Sequence, residues 1–590
     1  MYLLLAIGIT WPLVTQFGSA IVGYPTIDAF DTIMLRGVVS DLLLHDPLSI
    51  PHSHAIYHPD GYNILQLVPN VLDHLFGGML GLFFDFPTSD NLFWLALIAG
   101  NGIAAHCLGY QLTKQHSSAF LVGVAYACSE NLLREINLHH APQALSPWAP
   151  LYLAAILRSM SATAQRKDMF MAGVWMALSG ITYWYTAIFL AFGSLPILWL
   201  HRQHWRRFCV AAITALLIAS PFLLPYALHL DALPLAFPDQ APFASQEYPG
   251  VSSSQAFVVE HGNDLALPWR STPVDTSNRI GLVLLIAVFL SLRNGSEKVF
   301  LWIAGIGFLF ALGPYFRWGD EVVLVGGEPI ALPFRWLSTV SPLFERLTWP
   351  ERWGILIALG IAASVAKAPR PRLLASLVIL EAFLFSNNAP IATSSLSGQD
   401  VWRRLQATDG AVLELPLNRN HRQAPFIGLH ARLHQRPIVN PILQPPGSQK
   451  PSSWEAQWGP QTQVRQWLDS MGTSTPITSN NALMRQLLIQ QNVGAIALDA
   501  GPGSDLSQSP ARLSTWSTNL SQALGKPEDH GSLLIWWTRP PLHAAEPTLS
   551  WKGKAIRTGD QWRKARTIER SSAQPKPQSP DHLIEHLPLD

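Results

Sequence analysis

Two carboxylates three residues apart, Asp28 and Asp31, stand where an apolar N-terminal stretch gives way to polar sequence, in Tyr24-Pro-Thr-Ile-Asp28-Ala-Phe-Asp31. A carboxylate just outside a membrane helix can act as a general base toward an acceptor hydroxyl, or bind a divalent cation. If the segment is helical, the spacing turns both toward one side. Acidic residues at a helix start serve equally to cap or solvate it. The stretch continues into a run of ionisable groups, His45, Asp46, His52, His54, His58 and Asp60, the last followed by Gly61.

Two later stretches could meet a substrate. Glu130-Asn-Leu-Leu-Arg-Glu135-Ile-Asn-Leu-His139-His140-Ala-Pro-Gln143 carries adjacent histidines, residues that bind metal or hold phosphate. Neighbours in sequence diverge on a helix, so a joint chelate does not follow from His139 and His140, and polar lining of a loop accounts for them as well. The segment FRWLSTVSPLFERLTWPERWG holds Arg335, Arg346, Glu351 and Arg352. The planar guanidinium suits a lipid-linked phosphate or pyrophosphate, whereas an Arg–Glu pair can also simply anchor a helix end. Ser179-Gly-Ile-Thr-Tyr183-Trp-Tyr185 reads as an aromatic belt at a lipid interface, with sugar stacking as its other use. No Walker loop, Gly-rich nucleotide turn, G-x-S-x-G elbow or H-E-x-x-H motif occurs, so cytoplasmic nucleotide is not expected to drive the chemistry.

The elements that must position these groups read as transmembrane helices. Charged residues make up 13% of the 590 residues, hydrophobic ones 48%, and mean hydropathy is +0.18. Soluble proteins carry about 25% charged residues, so this chain's solvent is largely lipid. A net charge of +1 gives no electrostatic case for nucleic acid. About eleven apolar stretches approach the ~20 residues a bilayer requires: 2–20, 91–112, 118–134, 143–158, 169–182, 183–200, 209–230, 279–292, 299–315, 352–367 and 372–388. Met1–Val22 lacks a basic leader and a clean cleavage site, and reads as a retained first span. Residues 64–85, with Pro69, Asp73 and His74, suit an interfacial amphipathic helix.

Charge placement then orients the chain. Lys114; Arg158, Arg166 and Lys167; Arg202, Arg206 and Arg207; Arg293 and Lys298; and Lys367, Arg370 and Arg372 all fall on one side, which is the cytoplasm. The N-terminus is then cytoplasmic, and the outer face receives loops 21–90, 231–278 and 316–351 and everything past about residue 389.

The fold expected is mainly α: a polytopic helical bundle over 1–390 with a small extracytoplasmic α/β domain over 391–545. In that domain GAVLELPL, RPIVNPIL, VGAIALDA and SLLIWWT read as short buried strands, VWRRLQA and NNALMRQLLIQQN as helices. The stretch 546–590, rich in Pro, Ser, Lys and Arg, reads as a disordered tail. Cys107, Cys128 and Cys209 lie in apolar stretches and read as inert thiols.

Several of these stretches together resemble bacterial GT-C membrane glycosyltransferases that use polyprenyl-phosphate sugars. IDAFDTIMLRGVVSDLLLHDPLSIPHSHAIYHPDGYNIL is similar to their Asp-bearing first outer loop, with Tyr57-His-Pro-Asp60-Gly61 as its later turn. LSPWAPLYLAAILR looks like a following span, FALGPYFRWG and LPFRWLSTVSPLFERLTWPERWGILIALGIA like a late outer loop and returning helix, and GAVLELPL and HQRPIVNP like the C-terminal domain. The resemblance covers most of residues 1–540. It implies a catalytic Asp28 or Asp31, in an Asp-x-x-Asp rather than an Asp-x-Asp pattern, these two also being the ligands of any divalent cation. Asp60, His139, His140, Arg335, Arg346, Glu351 and Arg352 would bind substrate.

The reading is an inverting glycosyltransferase of the bacterial inner membrane. Its partners would be a polyprenyl-phosphate-linked sugar, membrane lipid, and a glycan, lipid or protein acceptor. Its rivals are a lipid-linked glycan transporter or flippase, which would carry ionisable groups at mid-membrane depth, and a non-catalytic scaffold. The orientation is directly testable. In a background freed of the three native cysteines, Glu297→Cys should react with an impermeant maleimide only after the membrane is opened, and Ser397→Cys in sealed cells. The reverse pattern would overturn the topology.

Overall fold

The computed structural model describes residues 1–45, 52–59, 61–63, 71–161, 163–227, 279–318, 321–341, 344, 347, 350–386, 388–417, 426–440, 452–476, 481–500, 506 and 509–541. Asp60, Arg346, the loop 231–278 and the tail 546–590 lie outside the described residues.

The N-terminal half is helical. In chain order come α1 (Tyr2–Ile9), α2 (Ile27–His45), α3 (Leu72–Gly81), α4 (Thr88–Thr113), α5 (His116–Ala127), α6 (Glu130–Asn137) and α7 (Ala141–Ala144). They are followed by α8 (Trp148–Ser159), α9 (Arg166–Thr182), α10 (Trp184–Gly193), α11 (Leu195–Leu200) and α12 (Trp205–Ala227). After the undescribed loop come α13 (Leu282–Arg293), α14 (Val299–Ala311), α15 (Pro333–Val340), α16 (Gly354–Ser364) and α17 (Pro371–Phe385).

The expected first span, 2–20, is not one helix. α1 stops at Ile9, a 3-10 turn follows over Leu13–Gln16, and Ala20–Val22 is a strand, β1. Pro12 supplies the reason, since it has no N–H to continue the helical ladder and clashes with the preceding turn. The described part of 64–85, expected as an interfacial amphipathic helix, carries α3, whose 10 residues reach only about 15 Å and on which Asp73 and His74 are buried. By length and composition, two helices among the described residues suffice to cross a membrane, Thr88–Thr113 and Arg202–Leu224. The other expected stretches carry shorter helices.

The outward surface supports a lipid environment: Trp199, Leu216, Leu217, Trp302, Leu384 and Phe385 are each more than 60% exposed. Basic connections meet in pairs. Arg207 donates to the carbonyls of Ser159 and Ser161, and Lys367 to that of Gly295.

The C-terminal part contributes β8 (Thr393–Ser395), β9 (Ala411–Leu415), β10 (Val493–Asp499), β11 (Glu528–Asp529) and β12 (Leu533–Trp537), after short ribbons β2–β3 (His52–Ser53, Tyr62–Asn63), β4–β5 (Arg317–Trp318, Glu321–Val322) and β6–β7 (Leu324–Val325, Glu328–Pro329). One sheet runs β11-β12-β10-β9, with β10 parallel to β9 and antiparallel to β12. Helices α18 (Ile427–His434), α19 (Ser452–Trp458), α20 (Gln463–Ser470), α21 (Asn481–Gln490) and α22 (Pro510–Leu524) accompany it. VWRRLQA, read from sequence as helical, falls in a 3-10 segment over Gln399–Ala407. In the described part of RPIVNPIL an isolated bridge sets Ile438 beside Val412.

α2 joins the two halves. Met34, Leu35, Val38, Val39 and Leu42 share one buried cluster with the sheet, whereas α3 lies along the same helix, with Gly77 against Arg36 and Gly78 against Val39. At its N-terminal end, α18 presses Gly428 onto the backbone of Phe30 and Asp31; a Cβ there would stand 2.4 Å from the Phe30 carbonyl oxygen. β1 pairs antiparallel with β8, tying the entry to α2 to the chain just after α17. Gly428→Val should therefore overpack this seam and lower stability by roughly 1–3 kcal/mol, read as a fall in unfolding temperature in detergent, while Gly305→Val, at a site with open space around it, should change little.

Candidate functional site

The site forms where α2 begins. Thr26 accepts a hydrogen bond from the backbone N–H of Ala29, as a capping residue does, and its hydroxyl donates to the Leu138 carbonyl. The Tyr24 N–H reaches the Asn137 carbonyl at 2.7 Å, and Asn137 also donates to the Asn388 carbonyl. Three separate chain segments are thereby fixed around Asp28, which opens α2 as its first-turn acid.

The partner of Asp28 comes from the end of α6. His139 takes a left-handed conformation, φ +63°, just past that helix, the geometry that ends many helices. The turn folds His140 back over the last turn of α6, with its N–H on the Glu135 carbonyl at 2.8 Å. The His140 ring then has a carboxylate at each nitrogen: Nδ1 stands 2.7 Å from Glu135 Oε2 and Nε2 3.1 Å from Asp28 Oδ2. Both nitrogens donate, which only the imidazolium can do. Burial disfavours that charge, but the hydrogen bonds to Asp28 and Glu135 outweigh it and hold His140 at about 9.

Behind His140 lie further charged groups, only some of which the sequence pointed to. Arg134 pairs with Glu135 in the interior. Burial alone would raise the Glu135 carboxyl, yet Arg134, His140 and Arg352 hold it far below the usual carboxylate range. Arg352 donates to the Tyr183 hydroxyl and lies over that ring, 5.5 Å from its centroid. Glu351 is buried beside these arginines. Burial, only partly opposed by Arg134 and Arg352, lifts its carboxyl to about 7. The turn that presents Glu351 and Arg352 is set by Trp353, which packs on Phe189 and Phe310 with ring centroids 4.2 and 4.5 Å apart.

Of the residues expected from sequence, Asp28, His140, Glu351 and Arg352 thus come into one electrostatic cluster. Arg134, Glu135 and Tyr183 join it unpredicted; charged side chains inside an apolar-flanked Glu-Asn-Leu-Leu-Arg-Glu run were the available signal. Asp31 lies one turn along α2, half-buried beside α18. Arg335, on α15, is half-buried, and its Nη1 has no hydrogen-bond partner among the described residues.

His139, expected as a substrate contact, faces the interior instead. Its Nδ1 donates to the Val22 carbonyl at 3.0 Å and its Nε2 accepts from Trp94 Nε1 at 3.3 Å, which leaves no ring edge for a substrate. Burial pushes it down to about 4.

The neighbourhood of Asp28 fits a divalent cation poorly. Asp28 hydrogen-bonds a protonated imidazole, with two arginines behind, and among the described residues no three His, Cys, Asp or Glu side chains converge on one point.

No protein-family model matches the sequence, and no curated protein matches it significantly. Among solved structures, the chain is similar to the arabinofuranosyltransferase AftD from mycobacteria, with 14% identity over 92% of this chain and 42% of that one and a TM-score of 0.47. It is also similar to ArnT from Cupriavidus metallidurans (10% identity, 91% of this chain and 97% of that one, TM-score 0.41). A third is the archaeal oligosaccharyltransferase AglB from Archaeoglobus fulgidus in complex with an inhibitory peptide and a dolichol-phosphate (11%, 89% and 72%, TM-score 0.39). These neighbours are GT-C glycosyltransferases. The chain spans less than half the length of AftD.

The His140 bridge has a measurable signature. Because its pKa is raised, the bridge contributes stability in full below the ordinary histidine value of about 6.5 and loses it as pH rises through about 9. Glu135→Gln should remove one carboxylate and bring the His140 titration down toward the ordinary value, followed by NMR of the labelled imidazole ring. An unchanged titration would show that the bridge does not form.

Proposed function

We propose that the chain is a multi-pass membrane glycosyltransferase that moves a sugar from a polyprenyl-phosphate donor to an extracytoplasmic glycan, lipid or protein acceptor. The observation that carries this reading is the chain Asp28–His140–Glu135, backed by Arg134 and Arg352. Its outermost member, Asp28, has a side chain 51% exposed.

Each group has a task in an inverting displacement. The acceptor oxygen attacks the anomeric carbon as the bond from that carbon to the phosphate oxygen breaks, and the hydroxyl proton passes to the Asp28 carboxylate. His140, protonated at neutral pH, donates to Asp28 and orients it, while Glu135 holds the far side of the ring. The departing phosphate gains charge, and the preorganised arginines are suited to meet it. Asp31, Asp60, Arg335 and Arg346 stand in reserve as contacts for the rest of the two substrates. Residues 391–545 would select the acceptor at the outer face of the bacterial inner membrane.

Transfer should be measured with purified protein, a short polyprenyl-phosphate sugar and a candidate acceptor. Asp28→Asn should lower turnover by about 10²-fold or more with little change in unfolding temperature. A folded Asp28→Asn protein with full turnover would sink the assignment.

A further inference from the structure

A cleft lies where the C-terminal ends of α5 and α17 meet the N-terminal ends of α6, α13 and α16. It holds about 590 Å³ of empty space counted out to its mouth, and none of Asp28, Arg134, Glu135, His140 or Arg352 lines it. α16 contributes Gly354, Ile357, Ala358 and Ile361, whose helical spacing makes them one apolar stripe. From α17 come Val378 and Ala382, with Glu381 between them. The far ends of these helices carry the basic connections: Arg293 closes α13, Lys367 follows α16 and Arg370 precedes α17. The cleft therefore sits at the end of the bundle opposite the cytoplasmic charges, level with the outer leaflet. Two of its walls belong to the perimeter, because α13 exposes Leu282 and Phe289, and α17 exposes Leu384 and Phe385.

The polar part of the lining is specific. Glu381 accepts from the backbone N–H groups of Leu282 and Val283, at 2.6 and 3.0 Å, and so caps the first turn of α13. Arg279 donates through Nη1 to the Phe385 carbonyl, while its Nη2 stands 4.0 Å from Glu381, beyond hydrogen-bond reach. Ser129 Oγ is buried with no hydrogen-bond partner among the described residues. Glu130 is buried as well, and its Oε1 accepts from Asn388 Nδ2 at 2.7 Å. Arg279 and Glu381 balance one another, and Arg134, one turn past Glu130 on α6, is already paired with Glu135. Glu130 thus leaves the lining with one net negative charge.

An occupant that matches this lining brings three things: an apolar chain for the stripe, a phosphate for the Arg279 guanidinium, and a cationic N–H donor for Glu130. An anionic phospholipid lacks the third and is repelled by Glu130. A choline head carries the positive charge but has no N–H to donate. We propose that the cleft is a binding site for a zwitterionic phospholipid of the outer leaflet, phosphatidylethanolamine, with its ammonium on Glu130, its phosphate at Arg279 and one acyl chain along the α16 stripe. The inference goes beyond the transferase reading and requires only that the chain be embedded in a bilayer.

Native mass spectrometry tests it. The full chain in dodecyl maltoside is incubated with equal amounts of phosphatidylethanolamine, phosphatidylcholine and phosphatidylglycerol bearing the same acyl chains, and the retained lipid is weighed. Phosphatidylethanolamine should be retained about tenfold over either of the others. Glu130→Gln should erase that preference, whereas Arg279→Gln should reduce retention of all three lipids, which share the phosphate. Ala358→Leu, which narrows the stripe, should also reduce all three. Each variant is checked for an unchanged unfolding temperature; if Ala358→Leu does not fold, the Glu130 and Arg279 variants decide.

Equal retention of the three lipids by the wild-type protein overturns the proposal, as does a preference for phosphatidylglycerol. A folded Glu130→Gln protein that still selects phosphatidylethanolamine overturns it too. Selective retention in a protein that transfers no sugar leaves this inference standing and counts only against the transferase reading.

Discussion

The placement of the site depends on one imidazole holding a carboxylate on each ring nitrogen. Neither Asp28 nor Glu135 is near the other in sequence, and both lie at helix ends where side chains have several rotamers open to them. His140 removes that freedom because two charge-assisted hydrogen bonds to a single planar ring fix distance and direction together. The ring can do this only while protonated, and the two carboxylates are what keep it protonated against its burial. Geometry and charge state therefore support each other.

That bridge rests on a backbone turn. The left-handed residue His139 sends consecutive side chains to opposite neighbourhoods: His140 outward to Asp28, His139 inward to Trp94 and the Val22 carbonyl. Asp90, at the start of α4, lies 3.5 Å from His139 and forms an ion pair with Arg36 of α2. The inner histidine thus anchors the turn to the same helix whose first residues carry Asp28. α2 in turn is packed on one side by α3 and on another by α18 and the sheet, so the position of Asp28 is set by both halves of the molecule.

Parts of this were legible from residue types. Asp28 followed from a carboxylate at the exit of an apolar stretch, and Glu351 and Arg352 from charges just before a returning span. β9, β10 and β12 followed from short apolar runs between turn residues. The break in the first apolar stretch was written in Pro12, which hydropathy averaging conceals. Arg134 and Glu135 were passed over because, at the end of an apolar run, they look like ordinary interface charges; nothing local distinguishes a solvated Arg–Glu pair from a buried one.

The sequence by itself determined which segments are apolar, which end of the chain forms strands, and that ionisable groups gather in the stretches between helices. Those properties follow from hydrophobic periodicity and from the chemistry of individual residues, which are local. Only the tertiary structure decided that residues 28, 134, 135, 140, 183, 351 and 352 gather in one cluster and that the His139 ring turns inward to Trp94 and the Val22 carbonyl. Electrostatic coupling falls off with distance and strengthens with burial, so it belongs to the packing of α2, α6 and the turn before α16, and to no single stretch of chain.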